Sequence, residues 1–459
     1  MSEETRSSQT EPRKQRLDWR RLEVVHRDAA GIDVGNAEHY VAIAADRDEE
    51  PVRKFGCFTE DLRRMADWLV ERGIRTVAMQ STGVYWLPLY DVLEERGLQV
   101  FLVNASHTKN LPGRKSDVQE CQWVLKLHTF GLLSNSFHPT EEIRVLRTYW
   151  RYRDGQVKEA SCCIQRMQKT LTQMNLQLAN AISDISGLTG MRILKAILAG
   201  ERDGRKLAEL ADPRVKATQE QIARSLEGNW RKELLFVLEQ EIGLYEIFQQ
   251  RIAECDQQIQ QHLESFPSHE QALERELGPR VKRKKKQGNA PAFDLRQALY
   301  RITGVDWTRV DGMDVMVAQT VVAEVGRDMT RWASEGHFAS WLGLCPSKET
   351  SGGRVVKKGA KKVNNRAAAA FRTAASTLLN SNSYLGAQYR RLRAKLGAPK
   401  AITAMAHKLS RLFYRLLRYG QQYVDKGAPF YEERWRQQQL ASLRRKSAQL
   451  GYALTPIHP

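Results

Sequence analysis

The chain lacks the sequence features that mark membrane, secreted and zinc-binding proteins. Its 459 residues contain no run of 18 apolar residues, so no segment is predicted to span a membrane. The first 21 residues are polar and charged, which argues against a secretory signal there and predicts a cytoplasmic protein. None of the six cysteines stands in a C-x-x-C pair, so we expect reduced, buried thiols rather than a zinc or redox site.

Acidic residues are scarce relative to basic ones. The chain has 53 Asp and Glu against 72 Lys and Arg, which gives a formal net charge of +19. Such a charge attracts polyanions, and nucleic acid is the first candidate partner. A ribosome-associated protein or one that binds anionic membranes has the same charge balance, so charge alone leaves these alternatives open.

The length of the chain predicts two or three folded units. Strand and helix patterns alternate in the first part of the chain, and helical patterns dominate afterwards. The predicted limits are a flexible basic arm over 1–21, an α/β domain over 22–139, a helical spacer or dimerisation region over 140–278, a basic linker over 279–291, a helical C-terminal domain over 292–428, and a basic helix with a tail over 429–459.

The α/β domain is predicted to begin with a hairpin. Its strands cover residues 30–34 and 40–44, joined by the turn residues Gly35 and Asn36. The predicted elements after it are helices over 59–73, 84–96 and 116–130, the last with Ser116 as its N-cap, and strands over 76–79 and 99–104. A hairpin followed by alternating strands and helices predicts a mixed sheet with helices packed on it.

The middle region carries two apolar seams with helical spacing. The first consists of Ile164, Met167, Leu171, Met174, Leu178, Ala181 and Ile185, and the second of Tyr245, Phe248, Ile252, Cys255, Ile259 and His262. Steps of three and four residues are typical of a coiled-coil seam. Two such helices would pair as an antiparallel arm, or pack as an ordinary helical bundle, and the spacing fits both.

Three acidic residues are candidate metal ligands. Asp33 lies inside an apolar strand pattern, where a carboxylate is costly to bury unless it is paired or binds a metal. Asp117 and Glu120, three residues apart near a helix start, lie on one face. The ordinary explanations are a structural Asp at a strand end and favourable charge at a helix N-terminus. Together, however, the three would supply the oxygen ligands that hold Mg²⁺ against a phosphodiester.

Five short blocks follow one another along the chain. They are GIDVG at 31–35, MQSTGVYW at 79–86, PGRKSD at 112–117, SWLGLCP at 340–346, and TSGGR at 350–354 before a Lys-rich segment predicted to begin a helix. Together they resemble DEDD-type insertion-sequence transposases, relatives of the Piv DNA invertase, over roughly 28–149 and 299–379. The resemblance implies an RNase H-like, resolvase-like catalytic domain over 22–139 and a serine domain over 292–428, in a bacterial enzyme that cuts and rejoins DNA.

The resemblance also implies four acidic positions, which are occupied here by Asp33, Gln80, Asp117 and Glu120. Asp33, Asp117 and Glu120 are then the expected ligands of Mg²⁺ or Mn²⁺. Glu120 keeps a carboxylate with one more methylene, which still reaches a metal. Gln80 is neutral, and its amide oxygen is a poorer Mg²⁺ ligand than a carboxylate. Either three carboxylates suffice, or the activity is weakened.

Ser351 falls on the position that the resemblance assigns to a nucleophilic serine. The neighbouring glycines would let backbone approach a phosphate, although a plain surface turn explains the same Ser-Gly-Gly sequence. The resemblance implies that the acidic domain, of the same or another protomer, activates the serine. The residues predicted to contact nucleic acid are Arg114, Lys115, Arg354, Lys357, Lys358, Lys361, Lys362 and Arg366.

The partners implied are DNA (the element ends and target), a structured noncoding RNA and further copies of the chain as a homodimer or homotetramer, in a nucleoid-associated enzyme. Residues 299–326 resemble a helix-hairpin-helix, with simple packing as the alternative. Two other functions compete. Residues 33–35 also resemble the phosphate loop of actin-like ATPases, although no second such loop occurs. A catalytically impaired transposase derivative, signalled by Gln80, would bind nucleic acid equally well.

Overall fold

The computed structural model describes residues 22–81, 83–104, 116–279, 288–352, 354–360, 365–420 and 425–455. The chain forms two compact units, Met1–His138 and Pro139–Pro459. No helix within the described ranges is long and apolar enough to cross a membrane.

A five-stranded sheet is the centre of the first unit. The elements are β1 (Ala29–Val34), β2 (Glu38–Ile43), β3 (Val52–Gly56), α1 (Thr59–Glu71), β4 (Thr76–Gln80), α2 (Trp86–Glu95), β5 (Gln99–Val103) and α3 (Asp117–Thr129). The strand order is β3-β2-β1-β4-β5, with antiparallel pairing from β1 to β3 and parallel pairing from β1 to β5. This mixed sheet confirms the predicted hairpin and the RNase H-like fold class.

Helices cover both faces of this sheet. On one face, Ile32 and Met79 belong to a core that includes Leu69 of α1 and Leu93 of α2. On the other, Ala78 and Val103 pack with Val124 and Leu127 of α3. Complete burial of one such Leu or Ile side chain contributes about 1.5–3 kcal/mol to folding. The two cores therefore fix α3 on the face opposite to α1 and α2.

Strand β3 was not predicted from the sequence. Arg53 and Lys54 occupy its centre, it lies at the edge of the sheet, and most of its residues are half-buried. An edge strand needs no continuous apolar face, so its sequence carries little alternation. Two predicted helices also have different limits, because α1 ends at Glu71 and α2 begins at Trp86.

The second unit is mainly helical. Its elements are α4 (Glu141–Gln173), α5 (Leu178–Ala181), α6 (Leu188–Leu198), α7 (Gly204–Glu209), α8 (Gln219–Ser225), α9 (Lys232–Ser265), α10 (Glu270–Glu274), α11 (Leu295–Thr303), α12 (Val315–Val325), α13 (Glu335–Trp341), β6 (Pro346–Ser351), β7 (Arg354–Ala360), α14 (Arg366–Thr377), α15 (Tyr384–Leu396), α16 (Ala398–Tyr419) and α17 (Gly427–Gln449).

Helices α4 and α9 pack along each other in opposite directions. Near the start of α4 the Glu142 carbonyl oxygen lies 2.8 Å from the His262 imidazole, near the end of α9. Farther along α4, Arg166 lies 3.5 Å from Glu241. Between these contacts, Arg153 and Asp256 form a buried ion pair. The two helices therefore pair antiparallel, which was one of the two arrangements left open by the seams.

The first seam does not continue in one helix as far as predicted. Helix α4 ends at Gln173, and Asn175 has a left-handed φ of 56°. Leu178 and Ile185 lie beyond this break and pack in a separate core with Met167 and residues of α6 to α9. Apolar spacing alone cannot show the break, because the same residues remain buried on both sides of it.

The C-terminal region is not wholly helical, because β6 and β7 form an antiparallel hairpin. The Lys-rich segment after Gly353, predicted to begin a helix, is instead strand β7. The next helix, α14, begins at Arg366, and the Asn365 side chain accepts a hydrogen bond from the Ala368 amide at its start.

Candidate active site

Asp33 lies at the carboxyl end of the central strand, on the face covered by α3. Alternate residues of a strand face the same side, so Asp33 shares its face with Gly31. A Cβ atom added to Gly31 would lie 2.5 Å from the Cys121 carbonyl oxygen and 2.2 Å from the Leu125 amide nitrogen, both in α3. Asp33 therefore lies under α3 and is half-buried.

Gly31 permits this close approach of α3 to β1. The need for a glycine at this position was not predicted from the sequence. The atoms that a side chain would meet are helix backbone, which cannot rotate away. A glycine inside a strand is a signal of close backbone approach, and it was present in the GIDVG block. Gly31 thus lets α3, the helix that carries Asp117 and Glu120, lie directly on β1.

Gly31→Ala is expected to lower the free energy of unfolding by about 2 kcal/mol, within the usual range for overpacking, or to displace α3. Urea denaturation measures the change. The control is Gly155→Ala in α4, where an added Cβ meets no atom within 4 Å and alanine favours the helix. Equal stability of Gly31→Ala and the wild type would contradict the required contact.

The direction of α3 places its first turn near Asp33. At the far end of the helix, the His128 Nε2 atom lies 2.9 Å from Thr76 Oγ1, and Thr76 is opposite Ala29 at the beginning of β1. Helix α3 thus runs antiparallel to β1 and starts over its carboxyl end. Asp117 and Glu120 lie in this first turn, exposed and half-buried respectively.

The predicted N-cap of α3 is confirmed. The Ser116 side chain accepts a hydrogen bond from the Gln119 amide, and the Gln119 side chain accepts one from the Ser116 amide. This reciprocal capping box fixes the helix start and hence the position of both carboxylates.

The carboxylates of Glu120 and Asp117 act on that of Asp33. The pKa of Asp33 rises from 3.8 to about 6, first because of burial, then because of Glu120 and Asp117, while the Val34 amide opposes the change. Burial, and then Asp33 and Asp117 among the charged groups, raise the pKa of Cys121 to about 12. Residues far apart in the sequence are therefore electrostatic neighbours. Across the described ranges, however, no group of three or more His, Cys, Asp or Glu side chains is placed so that it could hold a metal ion.

Gln80 lies beside Asp33, at the carboxyl ends of the neighbouring strands β4 and β1. Met79 is opposite Ile32 in the parallel pair β1–β4, and both residues belong to the core under α1 and α2. The next residues, Gln80 and Asp33, therefore face α3. Gln80 is 7% exposed. The second of the four expected acidic positions is thus adjacent to the first, and it holds a neutral amide.

Ser351 is the last residue of β6, opposite Arg354 of β7. Gly352 follows with a left-handed φ of 56°, exposed and with open space around its Cα. Arg354 is exposed. The side chains of Ser351, Lys357 and Lys358 are not among those described, and four predicted residues lie outside the described ranges: Arg114, Lys115, Lys361 and Lys362.

Two family models match this chain. A DEDD transposase model of the IS110 type, described as a transposase, matches residues 30–176. A model described as the transposase IS116/IS110/IS902 family matches residues 307–390. The chain belongs to the IS110 family of DEDD-type transposases. The two matches cover about half of this transposase, and no curated protein matches it.

The family assignment confirms the resemblance seen in the sequence, and it implies that this transposase binds DNA. The first match contains the four positions of the acidic site, and the second contains Ser351. The roles of these residues stay predictions.

The remaining predicted contacts of this transposase have local partners. The Arg366 guanidinium lies 3.5 Å from Asp154, so part of its charge is balanced within the chain. In the segment that resembles a helix-hairpin-helix, Asp314 accepts a hydrogen bond from the Val317 amide at the start of α12, and Asp306 pairs with buried Arg296. Carboxylates there favour packing over phosphate binding.

Proposed function

We propose that this transposase cuts and rejoins DNA at the ends of an insertion sequence, with a divalent cation held by Asp33, Asp117 and Glu120. The observation that carries the proposal is that burial, then Glu120, then Asp117, raise the pKa of Asp33, so the other two carboxylates act electrostatically on the one on the central strand. A bound cation relieves the repulsion between these charges, and carboxylate oxygens are the ligands that Mg²⁺ and Mn²⁺ prefer. In the described residues these carboxylates are not placed to hold a cation, so binding would require them to move.

When bound, the cation supplies positive charge that polarises a phosphodiester and favours deprotonation of its attacker. Asp33 would be the ligand fixed most firmly, because it lies on the central strand. The α3 carboxylates sit on a helix end that the capping box orders. Gln80 would contribute only an amide oxygen, and we propose that three carboxylates suffice.

We propose Ser351 as the nucleophile. Its Oγ atom forms a bond to phosphorus while the bond from phosphorus to one DNA oxygen breaks. The serine proton passes to the base that activates the hydroxyl, and the released DNA oxygen takes up a proton. The phosphodiester is thereby conserved as a serine–DNA linkage, which a DNA hydroxyl reverses when the strands are rejoined. The hairpin position and exposed Arg354 support this role.

We also propose that a structured noncoding RNA and further copies of the chain take part. The net charge of +19 supports an extensive nucleic-acid interface. The antiparallel pair α4–α9 has exposed apolar residues, including Phe236 and Ile247, which support contacts with another copy.

The test combines the full chain with DNA carrying the element ends, the candidate RNA and Mg²⁺ or Mn²⁺. We expect a protein–DNA adduct that resists denaturant, lost in excess chelator and regained when metal is added, as gel electrophoresis would show. Formation of the adduct without metal would contradict the metal site. Tight binding to DNA that stays intact would instead favour the alternative of a catalytically impaired transposase derivative. The neutral side chain of Gln80 is the feature that supports this alternative.

A further inference from the structure

A basic groove lies between four helices of the second unit, away from the β6–β7 hairpin in sequence. It is formed by α13, α15, α16 and α17 and has a volume of about 820 Å³. Its cationic lining residues are Lys408, Arg411, Arg415, Lys426 and Arg434. Pockets of this size accept ligands of nucleotide dimensions. Nothing in the proposed strand chemistry uses these residues.

Lys408 is the central cation of the groove and has no anionic partner among its described contacts. Its ammonium group donates to the Gln388 side-chain oxygen and lies 4.5 Å from the centre of the Tyr384 ring. Burial, then Arg434, then Arg411, lower the pKa of Lys408 to about 8. A half-buried ammonium beside two guanidinium groups is unfavourable unless an anion offsets it.

The two carboxylates that line the groove, Glu335 and Asp425, already have hydrogen-bond or ion-pair partners within the chain. Glu335 lies 2.9 Å from Arg411 Nε and 2.8 Å from Arg415, so one negative charge faces two positive ones. Asp425 accepts hydrogen bonds from the backbone amides of Tyr384 and Gly427. The groove therefore keeps a net positive charge that a bound anion would neutralise.

Two aromatic rings line the same groove. The Tyr384 and Phe430 ring centres are 6.4 Å apart, and Phe430 is 43% exposed. Each ring carries a cation, Lys408 on Tyr384 and Lys426 on Phe430. Cations beside partly exposed aromatic rings are typical of sites for single-stranded nucleic acid, which offers phosphates and unstacked bases together.

We propose that this groove binds a single-stranded segment of nucleic acid, with a backbone phosphate against Lys408, Arg411 and Arg434 and a base against Phe430. Duplex DNA could not bind in this way, because its bases are stacked and cannot reach the Phe430 ring. The inference rests on the proposed function only in that the chain acts on nucleic acid.

The test measures binding of labelled hexanucleotides, both RNA and DNA, by fluorescence anisotropy with the full chain in EDTA. Lys408→Met keeps the length of the side chain and removes the charge. We expect it to weaken binding about tenfold and to lower the dependence of log affinity on log salt concentration by about 0.7, as loss of one phosphate contact predicts. Phe430→Ala is expected to weaken binding similarly with an unchanged salt dependence.

The matched control is Lys400→Met, an exposed lysine on the same helix that does not line the groove. Equal affinities of Lys400→Met and Lys408→Met would overturn the proposal, and so would an equal loss for a duplex of the same sequence. Lys408→Met removes a half-buried charge that has no anionic partner among its described contacts, so its melting temperature should not fall; a measured melting temperature at the wild-type value would show that reduced binding does not reflect unfolding. Strand cleavage needs metal and is absent from this assay, so failure of the proposed function would leave its result unchanged.

Discussion

Asp33→Asn is expected to abolish metal-dependent strand cleavage and to stabilise the metal-free protein. Asparagine keeps the shape of the side chain but removes the carboxylate that the central strand contributes. A bound metal supplies several kcal/mol of charge stabilisation, so we expect cleavage to fall on the order of 10³-fold. Binding of DNA should change little, because no basic residue is altered.

The opposite effect on stability follows from the electrostatics of the site. Burial and two neighbouring carboxylates raise the pKa of Asp33 to about 6 in the folded state, from 3.8. Folding therefore favours the protonated form. Since the side chain is half exposed, solvent screening limits the gain from removing the charge to about 1 kcal/mol at neutral pH. Thermal unfolding in EDTA should show a melting temperature higher by about 2–4 °C.

The difference in stability between wild type and Asp33→Asn should also depend on pH in a defined direction. In the metal-free wild type, the contribution of Asp33 to stability is largest below pH 4 and is lost as the pH rises through about 6. Asp33→Asn has no carboxyl group to ionise at this position and does not lose stability in this way. The excess stability of the variant over the wild type should therefore grow from pH 4 to pH 7.

The matched control is Asp46→Asn, which changes an exposed aspartate in the same unit. It should leave both cleavage and stability near wild-type values. Cleavage by Asp33→Asn at the wild-type rate would remove Asp33 from the metal site. A lower melting temperature for that variant would show that the carboxylate has a stabilising partner.

The elements that carry the three carboxylates could be predicted largely from local patterns. Asp33 lies on a strand that its apolar run and the Gly35-Asn36 turn identify, and Ser116 marks the helix start that carries Asp117 and Glu120. Only the fold shows why strand β1 and the start of α3 lie next to each other. The contact at Gly31 depends on α3 crossing β1, which pairs residues about ninety positions apart.

Other elements carry no decisive sequence signal. Edge strand β3 is half-buried and contains adjacent charges, so it lacks the apolar run that marks β1. The Lys-rich strand β7 was predicted to begin a helix, yet it pairs with β6, and this pairing overrides the helix preference of its lysines. The groove around Lys408 combines side chains of four helices, and no spacing in the sequence brings them together.

Ser351→Ala is expected to abolish the covalent protein–DNA adduct while binding of DNA is retained. The substitution removes only one oxygen and leaves the backbone pairing of Ser351 with Arg354 available, so the β6–β7 hairpin should persist. Loss of a covalent nucleophile should reduce strand transfer by at least about 10³-fold. The control is Ser347→Ala, which removes a hydroxyl from the same strand and should leave the adduct unchanged. An adduct that persists in Ser351→Ala would place the nucleophile on another residue.

Mixing the two inactive proteins separates two arrangements of the active site. Ser351→Ala has an intact acidic site, and Asp33→Asn has an intact serine. If the metal-bearing unit of one copy activates the serine of another, an equimolar mixture should regain a measurable fraction of adduct, carried only by the Asp33→Asn chains. A size tag on one variant would identify the labelled chain on a denaturing gel. If both residues act within a single copy, the mixture should remain as inactive as its components, and a site shared between copies would be rejected.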